Sequence, residues 1–251
     1  MKIHYPSMRG AVSVMAALVV LVSSGCTVWR IKQSAELARQ SEPFQTSPEG
    51  ARASLLVVGD STAIGTGASS PANSVAGLIA RDHPKLKIVN RAKDGAKYAD
   101  MAHQLEGLNG ERFDAILVLG GGNDVIRLTP YEPLEESIAR VTALARTHSR
   151  LVVLMPSGNV GSAPFFFPPW SWLMTQRSKT LHRFVYEIAA DNSALYVNLY
   201  KDKADDPFAQ RPDELNAKDG LHPSDAGYRL WYDELNAQAD MAKHLAALQA
   251  R

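Results

Sequence analysis

Cysteine is almost absent from this 251-residue chain. Cys26 is the only one, so no disulfide can form within the chain and the fold must be stable through its apolar core alone. Net charge is nearly absent as well. Lys and Arg number 27 against 26 Asp and Glu, a formal +1, which excludes the broad basic field of a nucleic-acid or polyanion binder. The seven histidines include no H-E-x-x-H and no close His-x-His pair, so a zinc-hydrolase ligand set is missing. His83, His103, His148, His182 and His244 are expected at the surface or on helix flanks. The glycine-rich GDSTAIGTG, Gly59 to Gly67, has neither G-x-G-x-x-G nor the lysine of a P-loop, which argues against nucleotide binding. Internal repeats and low-complexity segments are also missing. What remains, 45% apolar and 21% charged residues, is enough for one α/β domain with a sizeable core.

Charge is missing altogether from Gly10 to Trp29, behind Lys2 and Arg9. Such a run reads as an export signal, outside the fold. Cys26 closes it in VSSGC, which resembles a bacterial lipoprotein cleavage site with Cys26 as the lipidated residue, although Ser23 stands where leucine is usual. About 20 apolar residues also span a bilayer, so an uncut membrane anchor is the alternative, and an ordinary cleaved signal a third. With Lys2 and Arg9 on the inner side, the folded part is expected outside the cytoplasm, in the periplasm, with the membrane as a partner. The expected organisation is a signal or anchor over 1–26, a polar tether over 27–52 with a helical stretch at KQSAELARQ, and one domain over 53–251.

In that domain, apolar runs alternate with amphipathic segments. The runs are SLLVVG (54–59), KIVNR (87–91), AILVLG (115–120), LVVLMP (151–156) and LYVNL (195–199). Helices are expected over Asn73–Asp82, Tyr98–Gly107, Pro133–Thr147 and Gln176–Asp191, with a last long one from Ser224 towards Leu248. Strands that are apolar throughout, and not alternating, are those covered on both faces. This rhythm predicts a doubly wound, three-layer α/β domain with a five-stranded parallel sheet. Ligands in such sheets sit beyond the carboxyl ends of the strands, where strand order reverses; for an order 2-1-3-4-5 that is between the first and third strands.

Residues with chemistry cluster at those ends: Gly59-Asp60-Ser61 after the first strand, Gly95 in NRAKDGAKY after the second, GGGND (120–124) after the third, and DGLHPSDAGY (219–228) after the last. Each alone is an ordinary turn. A serine hydroxyl needs an adjacent base to become a nucleophile, and His222 is the candidate, held extended by Pro223 before a helix capped by Ser224. Asp219 can accept from its Nδ1 and set the tautomer. Backbone N–H groups of Ser61 and Gly95 and the Asn123 amide can receive a developing oxyanion. Asp60 and Asp124 read as loop-shaping carboxylates, and Gly65 and Gly67 as flexible positions. Ala63 replaces the second glycine of the G-x-S-x-G elbow.

Four such blocks in this order, Gly-Asp-Ser at 59–61, Gly95, Gly-x-Asn-Asp at 121–124 and Asp-x-x-His at 219–222, resemble the SGNH/GDSL hydrolase family over about Leu55 to Leu248. The resemblance implies a flavodoxin-like α/β/α sandwich, nucleophile Ser61, base His222 oriented by Asp219, oxyanion donors Ser61, Gly95 and Asn123, and no metal or organic cofactor. The reaction expected is serine esterase or acylhydrolase chemistry on small-molecule, lipid or glycan esters, lysophospholipids and thioesters included. Removal of O-acetyl groups from an envelope polysaccharide is the enzymatic alternative, and a non-catalytic envelope-binding module the other. After the fourth strand, SGNVGSAPFFFPPWSWLMTQR (157–177) carries aromatics over 164–174. Phe166 and Trp170 are its candidate substrate contacts; packing over the sheet edge is the competing account.

Overall fold

The structure is a computed structural model that describes residues 28–250; the lipidation reading at Cys26 and most of the uncharged run lie outside them. In chain order the elements are a helix over 28–40 (α1), β1 (Ala53–Gly59), α2 (Ser61–Ile64), α3 (Val75–Asp82), β2 (Leu86–Asn90), α4 (Tyr98–Glu106), β3 (Ala115–Gly120), α5 (Gly122–Ile126), α6 (Tyr131–His148), β4 (Leu151–Pro156), α7 (Trp170–Asp191), β5 (Leu195–Tyr196), α8 (Pro207–Gln210), α9 (Pro212–Leu215), α10 (Asp225–Ala239) and α11 (Met241–Gln249). All strands pair in parallel in the order β2-β1-β3-β4-β5, the doubly wound order expected. Among the described residues, no helix is long and apolar enough to cross a membrane.

The continuous apolar runs have a direct cause. Leu55 and Val57 of β1, with Leu117 and Leu119 of β3, face a layer built from α3, α10 and α11, where Ile79, Tyr228 and Leu245 are buried. Leu56 and Val58, with Ile116 and Val118, face the opposite layer, where Tyr98 and Met101 of α4, Ile138 of α6 and Leu181 of α7 are buried. Successive strand residues point to opposite faces, so a strand with two cores needs apolar residues at every position. Each buried Leu or Val contributes about 1.5–3 kcal/mol relative to exposure.

Several boundaries differ from the sequence reading. α7 begins at Trp170, not near Gln176, because Pro168 and Pro169 sit ahead of its first turn, where a missing N–H costs nothing. The last helix is two, α10 and α11, broken at Asp240 with φ 46°. β5 pairs over two residues only, although Val197 and Leu199 stay buried in the core beyond it. The expected tether is structured: its helix covers 28–40, and Thr46 pairs antiparallel with Ile88 on β2, with N···O distances of 3.1 and 2.9 Å.

Gly59 ends β1 where a Cβ would lie 1.9 Å from the Leu119 carbonyl oxygen. Gly59→Ala is expected to destabilise the domain by about 2–4 kcal/mol, seen as a lower urea midpoint with an unchanged slope.

Candidate active site

The turn after β1 is held from three directions. Gln104, buried on α4, accepts from the Gly59 N–H at 2.9 Å and donates to the Gly59 carbonyl at 2.9 Å, a carbonyl that also accepts from the Lys93 N–H at 3.1 Å. Asp60 caps α2: Oδ1 accepts from the Thr62 N–H at 2.8 Å and its hydroxyl at 2.6 Å, while Oδ2 accepts from the Gly121 N–H at 3.0 Å. The first-strand turn is thereby tied to the third-strand turn. Burial pushes the Asp60 carboxyl above the ordinary aspartate value, and the Thr62 and Gly121 hydrogen bonds oppose that shift. Ser61 follows as the first residue of α2, itself buried.

From the other end of the chain comes the loop between α9 and α10. Gly220, with φ 69°, reverses direction between Asp219 and His222, and the Ala217 N–H donates to the His222 carbonyl at 2.7 Å. Ser224 then caps α10, accepting from the Gly227 N–H at 3.2 Å. Within this loop Asp219 Oδ1 accepts from the N–H groups of Leu221 and His222 at 3.0 and 3.1 Å. Its Oδ2 lies 2.6 Å from His222 Nδ1, and His222 Nε2 lies 2.9 Å from Ser61 Oγ. A carboxylate only accepts, so Nδ1 carries the proton and Nε2 is free to accept from the serine. Burial by itself would raise the Asp219 pKa; hydrogen bonds and charge from His222, with the Leu221 and His222 N–H groups, outweigh it and hold the carboxyl below the usual aspartate value.

Around Ser61 stand three donors without acceptors. The N–H of Ser61, the N–H of Gly95 and the side-chain amide of Asn123 bond to no group among the described residues, and all three residues line one cavity with His222. Asp124 fixes their relative position by accepting from the Tyr98 N–H at 2.9 Å, which joins the Gly95 loop to the Asn123 turn. Burial raises the Asp124 pKa, against the Tyr98 hydrogen bond. Asp60 and Asp124 thus do the loop-shaping expected of them. Gly67 is not a flexible position: a Cβ there would meet the Pro223 carbonyl at 2.5 Å and His222 Cβ at 3.0 Å, so the glycine lets the histidine loop approach.

The cavity measures about 410 Å³ and is walled by Val160, Ala163, Phe165 and Leu221, with Ile31, Ala35 and Ala38 of α1 on its outer side. Neither Phe166 nor Trp170 lines it. Phe165 takes that place because its N–H donates to the Gly220 carbonyl at 2.9 Å, pinning it beside the histidine loop; Phe166 packs on the α4–α6–α7 core and Trp170, already helical, is 59% exposed. His182 is also placed differently from expectation. It is buried on α7, its Nε2–H donates to the Ser157 carbonyl at 2.9 Å and its Nδ1 accepts from the Tyr196 hydroxyl at 2.7 Å. Burial pushes its pKa down to about 4, so the ring is neutral and braces the end of β4. His83 is buried too, at the C-terminal end of α3.

A parallel α/β/α sandwich with a buried serine, histidine and aspartate joined at its strand ends defines a carboxylic ester hydrolase of the SGNH type. The chain belongs to the GDSL-like lipase/acylhydrolase family, whose model matches residues 57–230. No curated protein matches it in sequence. Solved structures share the fold at low identity. TesA is 21% identical with a TM-score of 0.58, over 75% of this chain and 99% of its own. The Lake Arreo metagenome enzyme LAE5 is 20% identical with a TM-score of 0.59, over 75% and 95%. Axe2, an acetylxylan esterase from Geobacillus stearothermophilus, is 21% identical with a TM-score of 0.56, over 75% and 94%.

Proposed function

We propose that this protein is a serine esterase for carboxylic esters carrying an acyl chain, acting outside the cytoplasm, with Ser61 as nucleophile, His222 as general base and Asp219 as the residue that orients the base. One observation carries the reading: an unbroken run of hydrogen bonds from Asp219 through His222 to Ser61 Oγ opens on a mostly apolar cavity. In the reaction Ser61 Oγ attacks the ester carbonyl carbon while its proton passes to His222 Nε2. The carbonyl oxygen, now negative, is met by the N–H groups of Ser61 and Gly95 and the Asn123 amide. Collapse breaks the bond to the alcohol, which leaves with the proton from Nε2. A water molecule then gives a proton to His222 Nε2 and attacks the acyl carbon; the bond to Ser61 Oγ breaks, the acid leaves, and Oγ takes the proton back from Nε2.

Hydrolysis of p-nitrophenyl acetate, butyrate and decanoate by the full chain tests the reading. Turnover of none of them would overturn it; a profile that favours acetate and falls steeply with chain length would favour deacetylation of a glycan. Asn123→Ala is expected to lower kcat about a hundred- to a thousandfold with little change in KM. A loss confined to KM would remove Asn123 from the oxyanion site.

The extracytoplasmic, membrane-tethered part of the proposal is supported by the uncharged run ending at Trp29 and by the position of Cys26 within it, in VSSGC. Exposed apolar side chains accompany the end of that run. Val28, Trp29, Phe167, Trp170 and Trp172 are each at least half exposed, and Arg30 reaches the Phe167 ring at 5.0 Å, so the two segments adjoin. Tryptophans in such a patch suit a lipid interface.

A further inference from the structure

The outer side of the Ser61 cavity is closed by a segment that the family match does not include. That match begins at residue 57, whereas α1 covers 28–40. Ile31, Ser34, Ala35 and Ala38 of α1 line the same cavity as Ser61 and His222. Their spacing of i, i+3, i+4 and i+7 puts them on one face of the helix. Ile31 and Ala35 are exposed and Ser34 and Ala38 half-buried, so this face of the helix is open to the cavity and not packed into the core.

The helix crosses the site instead of hanging beside it. At its start the Arg30 guanidinium donates to the Pro164 carbonyl, in the segment after β4, and stacks on Phe167. Past its end, Thr46 is fastened to β2. In the sheet, β1, whose end leads into Ser61, lies between β2 and β4, so α1 is held on both sides of the nucleophile. The face it turns to the cavity is apolar apart from Ser34, small at 35 and 38, and it looks across at Val160, Ala163 and Phe165. The lining also includes Asp94, Arg127, Asn159 and Asp206; against its apolar part a methylene chain needs no hydrogen-bond partner.

We propose that α1 is the outer wall of an acyl-chain subsite, and that Ile31, Ala35 and Ala38 set the length of acyl chain the ester site accepts. The proposal rests on the reading of Ser61 as the attacking group, and it makes the specificity of the enzyme a property of residues outside the family match. Each methylene sheltered by the wall raises kcat/KM roughly fourfold. Tryptophan at 35 or 38 fills the channel. Alanine at 30 leaves the channel clear and loosens the wall.

The test measures kcat/KM of the full chain for p-nitrophenyl decanoate and p-nitrophenyl acetate, and compares the decanoate-to-acetate ratio in wild type, Ala35→Trp, Ala38→Trp and Arg30→Ala. The expected result is a ratio lowered about tenfold in either tryptophan variant and several-fold in Arg30→Ala. A ratio unchanged or raised in all three, or a proportional loss on both esters, overturns the wall while leaving the nucleophile assignment standing. Failure of the wild type to hydrolyse either ester overturns both.

Discussion

Ser61→Ala is expected to lower ester turnover on the order of ten-thousand- to a millionfold, with the folded structure intact. The hydroxyl makes one hydrogen bond, to His222 Nε2, and its removal leaves that nitrogen facing the cavity, where water can reach it. Stability should therefore change by about 1 kcal/mol or less. The measurement is kcat on p-nitrophenyl butyrate beside a urea melt of the same sample. Activity within tenfold of wild type would remove Ser61 as nucleophile, and a large loss of stability would show that the serine also supports the fold.

Asp219→Asn is expected to cost about ten-thousandfold in kcat, for a reason visible in the donors and acceptors. The amide oxygen of the variant side chain can still accept from the Leu221 and His222 N–H groups, so the loop should keep its shape. Its NH₂ replaces the oxygen now 2.6 Å from His222 Nδ1. An NH₂ only donates, so Nδ1 must give up its proton and Nε2 must carry it, which leaves nothing to receive the serine proton. The same carboxylate links stability to pH. Its folded pKa is below the ordinary value, so it adds stability at pH above the unfolded aspartate value of about 3.9 that is lost as pH falls through the folded value. The amide variant should therefore lose stability less steeply than wild type below about pH 4. Parallel acid-denaturation curves for the two proteins would show that the carboxylate makes no such contribution.

The sheet was legible because β1 from Leu55 onward, β3 and β4 run as unbroken apolar stretches, which few arrangements other than a doubly covered parallel strand require. The reacting residues were legible because their chemistry is rare in combination: a serine, an Asp-x-x-His and a Gly-x-Asn-Asp each fall just past a strand or before a helix. The walls were not. Phe165, Phe166 and Phe167 are identical in type, and the one hydrogen bond from the Phe165 N–H to the distant Gly220 carbonyl decides which of them enters the cavity. In α1, Ala35 and Ala38 sit among Lys32, Glu36 and Arg39, and an alanine carries no sign of what it faces. Gln104 looked like any polar position on an amphipathic helix, and only the fold brings its amide to both backbone groups of Gly59. A buried His182 was hidden because its partners, the Ser157 carbonyl and the Tyr196 hydroxyl, come from loop and strand positions that no periodicity connects.

The pairing of Thr46 with Ile88 has a consequence for how copies of this protein meet one another. A five-stranded sheet has two open edges, and each is a template on which a second chain could lay a strand. Here one edge, β2, is occupied by Thr46 and carries an exposed Lys87, and the other, β5, runs for two residues. At a formal charge of +1 the chains repel each other little. Resistance to aggregation is therefore built into the backbone pairing at the sheet margins, and the segment ahead of the domain supplies half of it.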